Sequence, residues 1–418
     1  MKRKMLSLAI TCLMTVGFVA GCGQKPAANE QAGAAEKSDQ AVTSSNDEAN
    51  ASSTDEDGSN LEKSLAIDVS SHKTPDGNAL FIDTVLQNPP ARPDNPDALP
   101  ETDSGHWFDF EYPFADVVKE SMQESPKDGC IGKHIIVIKN GDHPYHTAYN
   151  DAAVLAGEIY GMTVEVMSPN WDANVQTQMV DQAINEKPDL IIYLPVDQQT
   201  SVQHLRKMYQ AGIPVIGSNV MPSPEGMKYL LSFSAPDDWG QSRLLAQQMA
   251  EDAGYKGGYA VITHSPGGSA YYARAYGVIT EMSKIAPDMK LLDIQSPGFE
   301  AEEVKRVVSD WITKFGDELN VIVTSETTAQ TIGAIEACEA ANRNDIILGG
   351  IDNSEIALNY VKEGKLACAT NQPPMQDGAL PIQLAAKWFN GEELPTAIFM
   401  APSVITKDNV ENFLPAQW

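Results

Sequence analysis

KHIIVIKNGDHPYHTAYNDAAVLAGEIYGMTVEV, residues 133–166, sets the architecture of everything downstream. His134-Ile135-Ile136-Val137-Ile138 is a short unbroken apolar run, the pattern of a parallel strand covered on both faces. A helical stretch follows over roughly Tyr145–Tyr160, and Thr163-Val164-Glu165-Val166 returns to a strand. Parallel strands need a crossover of a dozen or more residues, which this helix supplies. Toward the C-terminus the alternation continues with a helix near 174–185, a strand at Leu190-Ile191-Ile192-Tyr193-Leu194, another helix, and Ile213-Pro214-Val215-Ile216. It restarts after Asp237. A helix near 239–253 leads to Tyr259-Ala260-Val261-Ile262, then come a helix over 270–285, Leu291-Leu292-Asp293-Ile294 and a helix near 301–314. Asn320-Val321-Ile322-Val323 and Asp345-Ile346-Ile347-Leu348 flank a further helix. Two similar βα series predict an α/β protein of two doubly wound parallel-sheet lobes, with a ligand crevice at the carboxyl ends of the strands.

Upstream the chain changes character. Lys2, Arg3 and Lys4 precede an apolar run from Met5 to Val19, which ends in Val19-Ala20-Gly21-Cys22. A cationic head, a short apolar stretch and small residues at a cut site read as a secretory signal peptide over 1–21. The run is too short for an ordinary membrane span. The cysteine after the cut resembles a bacterial lipobox, which implies lipidation of Cys22 and an extracytoplasmic protein held on the cell membrane by lipid. An ordinary signal peptide followed by a chance cysteine is the alternative. Residues 22–64 are almost free of large apolar side chains and predict a disordered tether. Residues 65–130 form an arm with short apolar runs, a proline-rich stretch over 88–100 and the aromatic cluster His106-Trp107-Phe108-Asp109-Phe110-Glu111-Tyr112-Pro113-Phe114. That cluster packs either on the body of the protein or on a partner.

Composition narrows the function. The net charge is −28 before three cations leave with the signal segment, so the surface repels nucleic acid and anionic headgroups. No helix-turn-helix with a basic face precedes the body, which removes the DNA-binding regulators. Cys130, Cys338 and Cys368 are widely spaced and odd in number, with no zinc-like pattern, and read as buried thiols with at most one disulfide among them. GxxxxGK[ST], GxGxxG after a strand, HExxH and GxSxG are all absent. His143 and His146 stand three apart with only Asp142 beside them, too few groups for a metal site. No nucleophile, base and orienting group fall together, so the chain does not read as an enzyme, and no cofactor is indicated.

The loop after the first strand, Asn140-Gly141-Asp142-His143-Pro144-Tyr145-His146, resembles the Asn-Asn-Pro-Phe-Phe turn of the ribose-like type I periplasmic binding proteins. Further similar segments follow in order to Trp418. They are Ala211-Gly212-Ile213-Pro214-Val215-Ile216, the Arg274-containing stretch from Gly268 to Gly277, and Pro297-Gly298-Phe299-Glu300. Gly350-Ile351-Asp352-Asn353 and Thr370-Asn371-Gln372-Pro373 complete the series. The resemblance implies two lobes joined by a three-segment hinge, closing on a small ligand that is usually a sugar. It implies a monomer that serves a membrane permease with a cytoplasmic ATPase, an ABC importer. The first lobe is expected over 131–233 and 372–396, the second over 237–370 and 397–418.

Carried onto this chain, the resemblance implies ligand contacts from His143, Tyr145, His146, Asn219, Arg274, Phe299, Thr327, Asp352 and Gln372. Elementary chemistry agrees: planar bidentate groups suit hydroxyls, and aromatic faces suit the C–H faces of a ring. Trp171 and Trp239 also fall near strand ends and read as packing residues, with a place at the edge of the cleft as the alternative. Asn219-Val220 stands where ribose binders carry Asp-Arg, which points to another small neutral polyhydroxylated ligand. The histidines predict weaker binding below about pH 6, where imidazole becomes charged. A ligand sensor that reports to a membrane kinase or chemoreceptor needs the same closing cleft and is the competing function.

Overall fold

The computed structural model describes residues 59–418. The expected signal peptide, Cys22 and most of the expected tether lie outside the described residues. The tether's expected end at residue 64 is corrected: Asn60–Leu65 is helix α1, started by a reciprocal capping box between Ser59 and Glu62. The Ser64 hydroxyl accepts the Cys130 N–H at 2.9 Å, and Asn60 Nδ2 donates to the Ile131 carbonyl at 3.1 Å. The helix is thereby fastened to the chain just ahead of the first long strand.

The elements of the first series are β1 (Thr84–Val85), α2 (Phe108–Glu111), β2 (His134–Ile138), α3 (Pro144–Tyr160), β3 (Thr163–Met167) and α4 (Ala173–Glu186). It continues with β4 (Leu190–Tyr193), α5 (Gln198–Gln210), β5 (Val215–Ser218), α6 (Pro224–Met227) and β6 (Ser232–Pro236). The second series holds α7 (Asp238–Asp252), β7 (Gly257–Ile262), α8 (Ser269–Ile285), β8 (Met289–Gln295) and α9 (Ala301–Phe315). It goes on through β9 (Leu319–Thr324), α10 (Ala329–Ala340), β10 (Ile347–Gly350), α11 (Glu355–Glu363) and β11 (Cys368–Thr370). The chain then returns through α12 (Pro374–Phe389), β12 (Ile398–Met400) and β13 (Val404–Thr406).

Two sheets result, ordered β1-β12-β6-β5-β4-β2-β3 and β13-β11-β10-β9-β7-β8. All pairings are parallel except β1 with β12 and β11 with β13. This is the two-lobed, doubly wound α/β arrangement, crossed three times by the chain. Two expected lobe boundaries shift. Strand β6 stays in the first sheet to Pro236, opposite Met400, so that lobe does not end at 233. Residues 397–400 were expected in the second lobe, but β12 pairs with β6 and buries Ile398, Phe399 and Met400 in the first. The last crossing therefore falls between β12 and β13.

Strand alternation builds the cores. Ile135 and Val137 point toward Tyr149 of α3 and Leu380 of α12, while Ile136 and Ile138 meet Val180 and Leu205 on the other face. In the second sheet Ile322 packs with Trp311 and Ala334, and Val321 and Val323 with Leu245 and Val278. Helices α3 and α12 approach so closely that a Cβ on Gly378 would stand 2.1 Å from the Tyr149 carbonyl oxygen. Cys130, Cys338 and Cys368 are buried free thiols. Among the described residues no helix is long and apolar enough to cross a membrane.

The arm lies on both lobes. Leu80 is buried in the first-lobe core, and β1 pairs antiparallel with β12 to cover that sheet's edge. Phe114 packs on Phe399 with ring centroids 5.6 Å apart, and Lys119 Nζ donates to the Leu231 carbonyl at 2.6 Å. Across the hinge, Trp107 stacks on Tyr276 of α8 at 3.8 Å, and Phe110 meets Tyr272 at 4.2 Å. Buried Glu111 pairs with Arg243 of α7 at 2.5 Å.

Candidate functional site

The carboxyl ends of both sheets face a cavity of about 550 Å³. From the first lobe, the loop after β2 delivers three side chains. His143 caps α3, its Nδ1 accepting the Tyr145 N–H at 3.2 Å, with Pro144 at the first helical position. Tyr145 donates its hydroxyl to Asp377 Oδ2 at 2.8 Å. His146 Nδ1 is 3.1 Å from the Gly141 carbonyl, so that nitrogen carries the proton. A Cβ on Gly141 would sit 2.1 Å from the Trp171 ring, so only glycine lets this indole lie against the loop. Trp171 therefore joins the cavity wall, 47% exposed and 5.5 Å from the His146 ring, the cleft-edging alternative rather than the packing role expected of it. Asn219, past the end of β5 with φ 60°, donates to the same Asp377 oxygen at 2.7 Å.

The second lobe and the hinge supply a polar cluster around Arg274 of α8. Its Nη1 donates to the Ser325 carbonyl and its Nη2 to Gln372 Oε1, both at 2.9 Å, while Nε reaches Asp238 Oδ1 at 3.2 Å. Gln372 Nε2 donates to Asp238 Oδ1 at 3.1 Å, tying the first and second crossings together. Asp352 Oδ2 stands 4.0 Å from Arg274 Nη1. Phe299 lies open to the cavity, 42% exposed, edge-on to His264 at 4.8 Å. Trp239 is buried beside Trp107 and Ala273, a packing residue.

All the expected contact residues line this one cavity except Thr327. That side chain is buried behind the wall, where its hydroxyl donates to Asp352 Oδ1 and meets Ser354 Oγ at 2.8 Å. Its place at the wall is taken by Glu326 and Thr328, its neighbours in sequence. The wall also includes Asn140, Asp238, His264 and Trp418, which sequence reasoning missed. Asp238 directly follows a strand end, a signal that was available. His264, two residues past β7, offered the same signal, whereas Trp418 reaches the wall only through the fold.

Electrostatics follow from burial. His146 and His264 are pushed down to about 3 by burial, and His143 is lowered by burial and by Arg274. The His146 and His264 imidazoles thus stay neutral well below their ordinary range, so their share of the expected weakening near pH 6 moves to lower pH. Burial and the neighbouring Glu326 push Asp352 up to about 8 against the pull of Arg274 and Thr327. Asp377 is raised to about 7 by burial, although Asn219 and Tyr145 donate to it. Among the described residues no group of three or more His, Cys, Asp or Glu is placed to hold a metal ion. The cavity offers planar donors, carboxylate acceptors and aromatic faces, a set suited to holding a small polar molecule from two sides.

Residues 131–393 match the periplasmic binding protein domain family. A xylitol-binding protein of Mycolicibacterium smegmatis is 28% identical over 245 residues, spanning 58% of this chain and 68% of that protein. The ribose import binding protein of Salmonella typhimurium is 25% identical over 260 residues, 62% of this chain and 85% of that protein. Among solved structures, a solute-binding protein of an ABC transporter from Bacillus halodurans with bound myo-inositol superposes with a TM-score of 0.63. It is 25% identical and covers 69% of this chain and 99% of that one. With its family match, two sheets, three crossings and strand-end cavity, this chain belongs to the periplasmic binding proteins, in their type I two-lobed form.

Proposed function

We propose that the protein is a solute-binding component of an ABC importer, holding a small neutral sugar or polyol between its lobes and presenting it to a membrane permease. The observation that carries this reading is the cluster at the hinge. Arg274, Asp238 and Gln372 are joined by hydrogen bonds across two chain crossings, with Asp352 beside them, at a cavity also walled by first-lobe His146 and Trp171. A ring bearing several hydroxyls satisfies such paired donors and acceptors at once, and it does so only when both lobes contact it. Relatives named for xylitol and ribose and a solved relative with myo-inositol support the ligand class. Asn219-Val220 favours a ligand other than ribose. Signal-peptide removal and lipidation at Cys22 hold the monomer at the outer face of the cell membrane, within reach of its permease.

The test is titration of the purified protein with xylitol, myo-inositol and D-ribose, followed by a wider sugar and polyol panel, read by calorimetry and thermal shift. A ligand at about 100 times its Kd adds about 2.7 kcal/mol to stability. Asp352→Ala is expected to weaken that ligand about tenfold, the loss of one buried hydrogen-bonding carboxyl. No binding by any sugar or polyol overturns the reading. For the anchor, Cys22→Ala releases the protein from the membrane fraction; retention there refutes lipid attachment at that residue.

A further inference from the structure

We propose that Trp418 is a ligand-contacting, specificity-determining residue of the cleft, an inference that rests on the sugar or polyol reading above. The indole stands at the cavity wall, with ring centroids 5.3 Å from His143 and 5.7 Å from Tyr145. It thus extends the aromatic surface begun by the loop after β2. Its Nε1 is buried and donates to no atom of the protein. An unmet indole N–H is costly to bury, and a small turn of the ring toward the polar cavity that its residue lines brings it to an acceptor. A ligand hydroxyl or ring oxygen supplies that acceptor, while the indole face packs on C–H groups of the same ring.

The position of this indole is built rather than accidental. The Trp418 carbonyl accepts the Glu355 N–H at 2.9 Å, in the first turn of second-lobe helix α11. The preceding side chain, Gln417, accepts the Met375 N–H at 3.1 Å and donates to Gln376 Oε1 at 3.0 Å, both on α12 of the first lobe. It also donates to Asp76 Oδ2 of the arm at 2.9 Å. Residues 417 and 418 thus rest on both lobes and on the arm, and Gln417 is the positioning residue for the indole. One donor and one flat face, set on a wall that otherwise reads hydroxyls through Arg274 and Asp352, discriminate ligands by ring size and by the placement of one oxygen.

The experiment compares Trp418→Phe and Trp418→Ala with the unaltered protein, titrating xylitol, myo-inositol and D-ribose by calorimetry. Trp418→Phe keeps a ring and loses the donor; Trp418→Ala loses both. The expected result is an affinity loss of about tenfold or more in Trp418→Ala, a smaller loss in Trp418→Phe, and an altered ratio of affinities between the best and second-best probe. A merely structural residue weakens every probe by the same factor. Where a variant fails to fold, the indole N–H resonance of Trp418 in the unaltered protein, observed by NMR, reads the same contact and moves on saturation with the best probe. Unchanged affinities and ratios in both variants, or an unmoved resonance, overturn the inference and leave the binding reading standing. Failure of the unaltered protein to bind any probe or any other sugar or polyol overturns both.

Discussion

Asp377 shows how the first-lobe contacts are held. Its Oδ2 accepts from both Tyr145 and Asn219, so these polar tips are aimed by a carboxylate on α12 rather than left free. Burial raises that carboxyl from its ordinary 3.8 to about 7, so the folded protein binds a proton there that the unfolded chain releases above about pH 4. The stabilisation from this proton is complete below the unfolded value and is lost as pH rises through the folded one. Melting temperatures of the unaltered protein and Asp377→Asn, recorded from pH 5 to pH 8, test this: the unaltered protein should lose stability relative to the variant as pH rises. A constant difference between the two curves refutes it. At the site, Asp352 and Gln372 were legible because each sits just past the end of a strand or in a crossing, and strand ends converge in this architecture, while Arg274 was legible from the stretch Gly268–Gly277 that opens helix α8. Thr327 was misplaced by one position, a slip that turns a wall residue into a supporting one because successive residues at a strand end face opposite ways. Trp418 gave no signal, since nothing local tells a tail residue that it will return to a cavity walled by residues far away in sequence. Neutral imidazoles at His146 and His264 carry a consequence too: ligand affinity should be flat from pH 6 to pH 5, a range below the raised Asp352 and Asp377 in which an ordinary imidazole becomes charged. Titrations at both ends of that range check it.

Helix α12 is the element on which the first lobe depends. It packs along α3, and Gly378 marks the closest approach, with the Tyr149 carbonyl 2.1 Å from where a Cβ would be. Neither backbone can yield as a side chain does, so Gly378→Ala must push the helices apart. A loss of about 1–3 kcal/mol is expected from such overpacking, read by chemical denaturation. An unchanged unfolding midpoint would show that the pair slides freely. Long elements were legible in the sequence: the unbroken runs of β2 and β4 admit little but a buried strand, and the helices between them have the required length. The three-residue strands β11, β12 and β13 were not, since so short a run carries no period. Strand β12 is specified by its neighbours instead. Parallel β6 on one side and antiparallel β1 on the other hold Ile398–Met400 in the first sheet, which is why the lobe boundary fell later than expected.

At the scale of the whole molecule, the arm spans the hinge that a type I binding protein uses to open. It holds the first lobe through Leu80 and β1, and the second through Trp107 and Glu111. Trp107→Ala removes the stacked anchor on Tyr276, and large-to-small changes of this kind cost about 3–5 kcal/mol. The expected outcome is release of the arm around residues 100–120 from the second lobe, seen as new protease cleavage there while the two lobes stay intact. An unaltered digestion pattern would show that the remaining contacts suffice. Helix α1, where the described chain begins, bonds to Cys130 and Ile131 at the amino end of β2, whereas the cavity lies at the carboxyl ends of the strands. Any mechanical load arriving along the chain before residue 59 therefore enters at the base of one lobe, and is taken up there before it reaches the arm or the hinge.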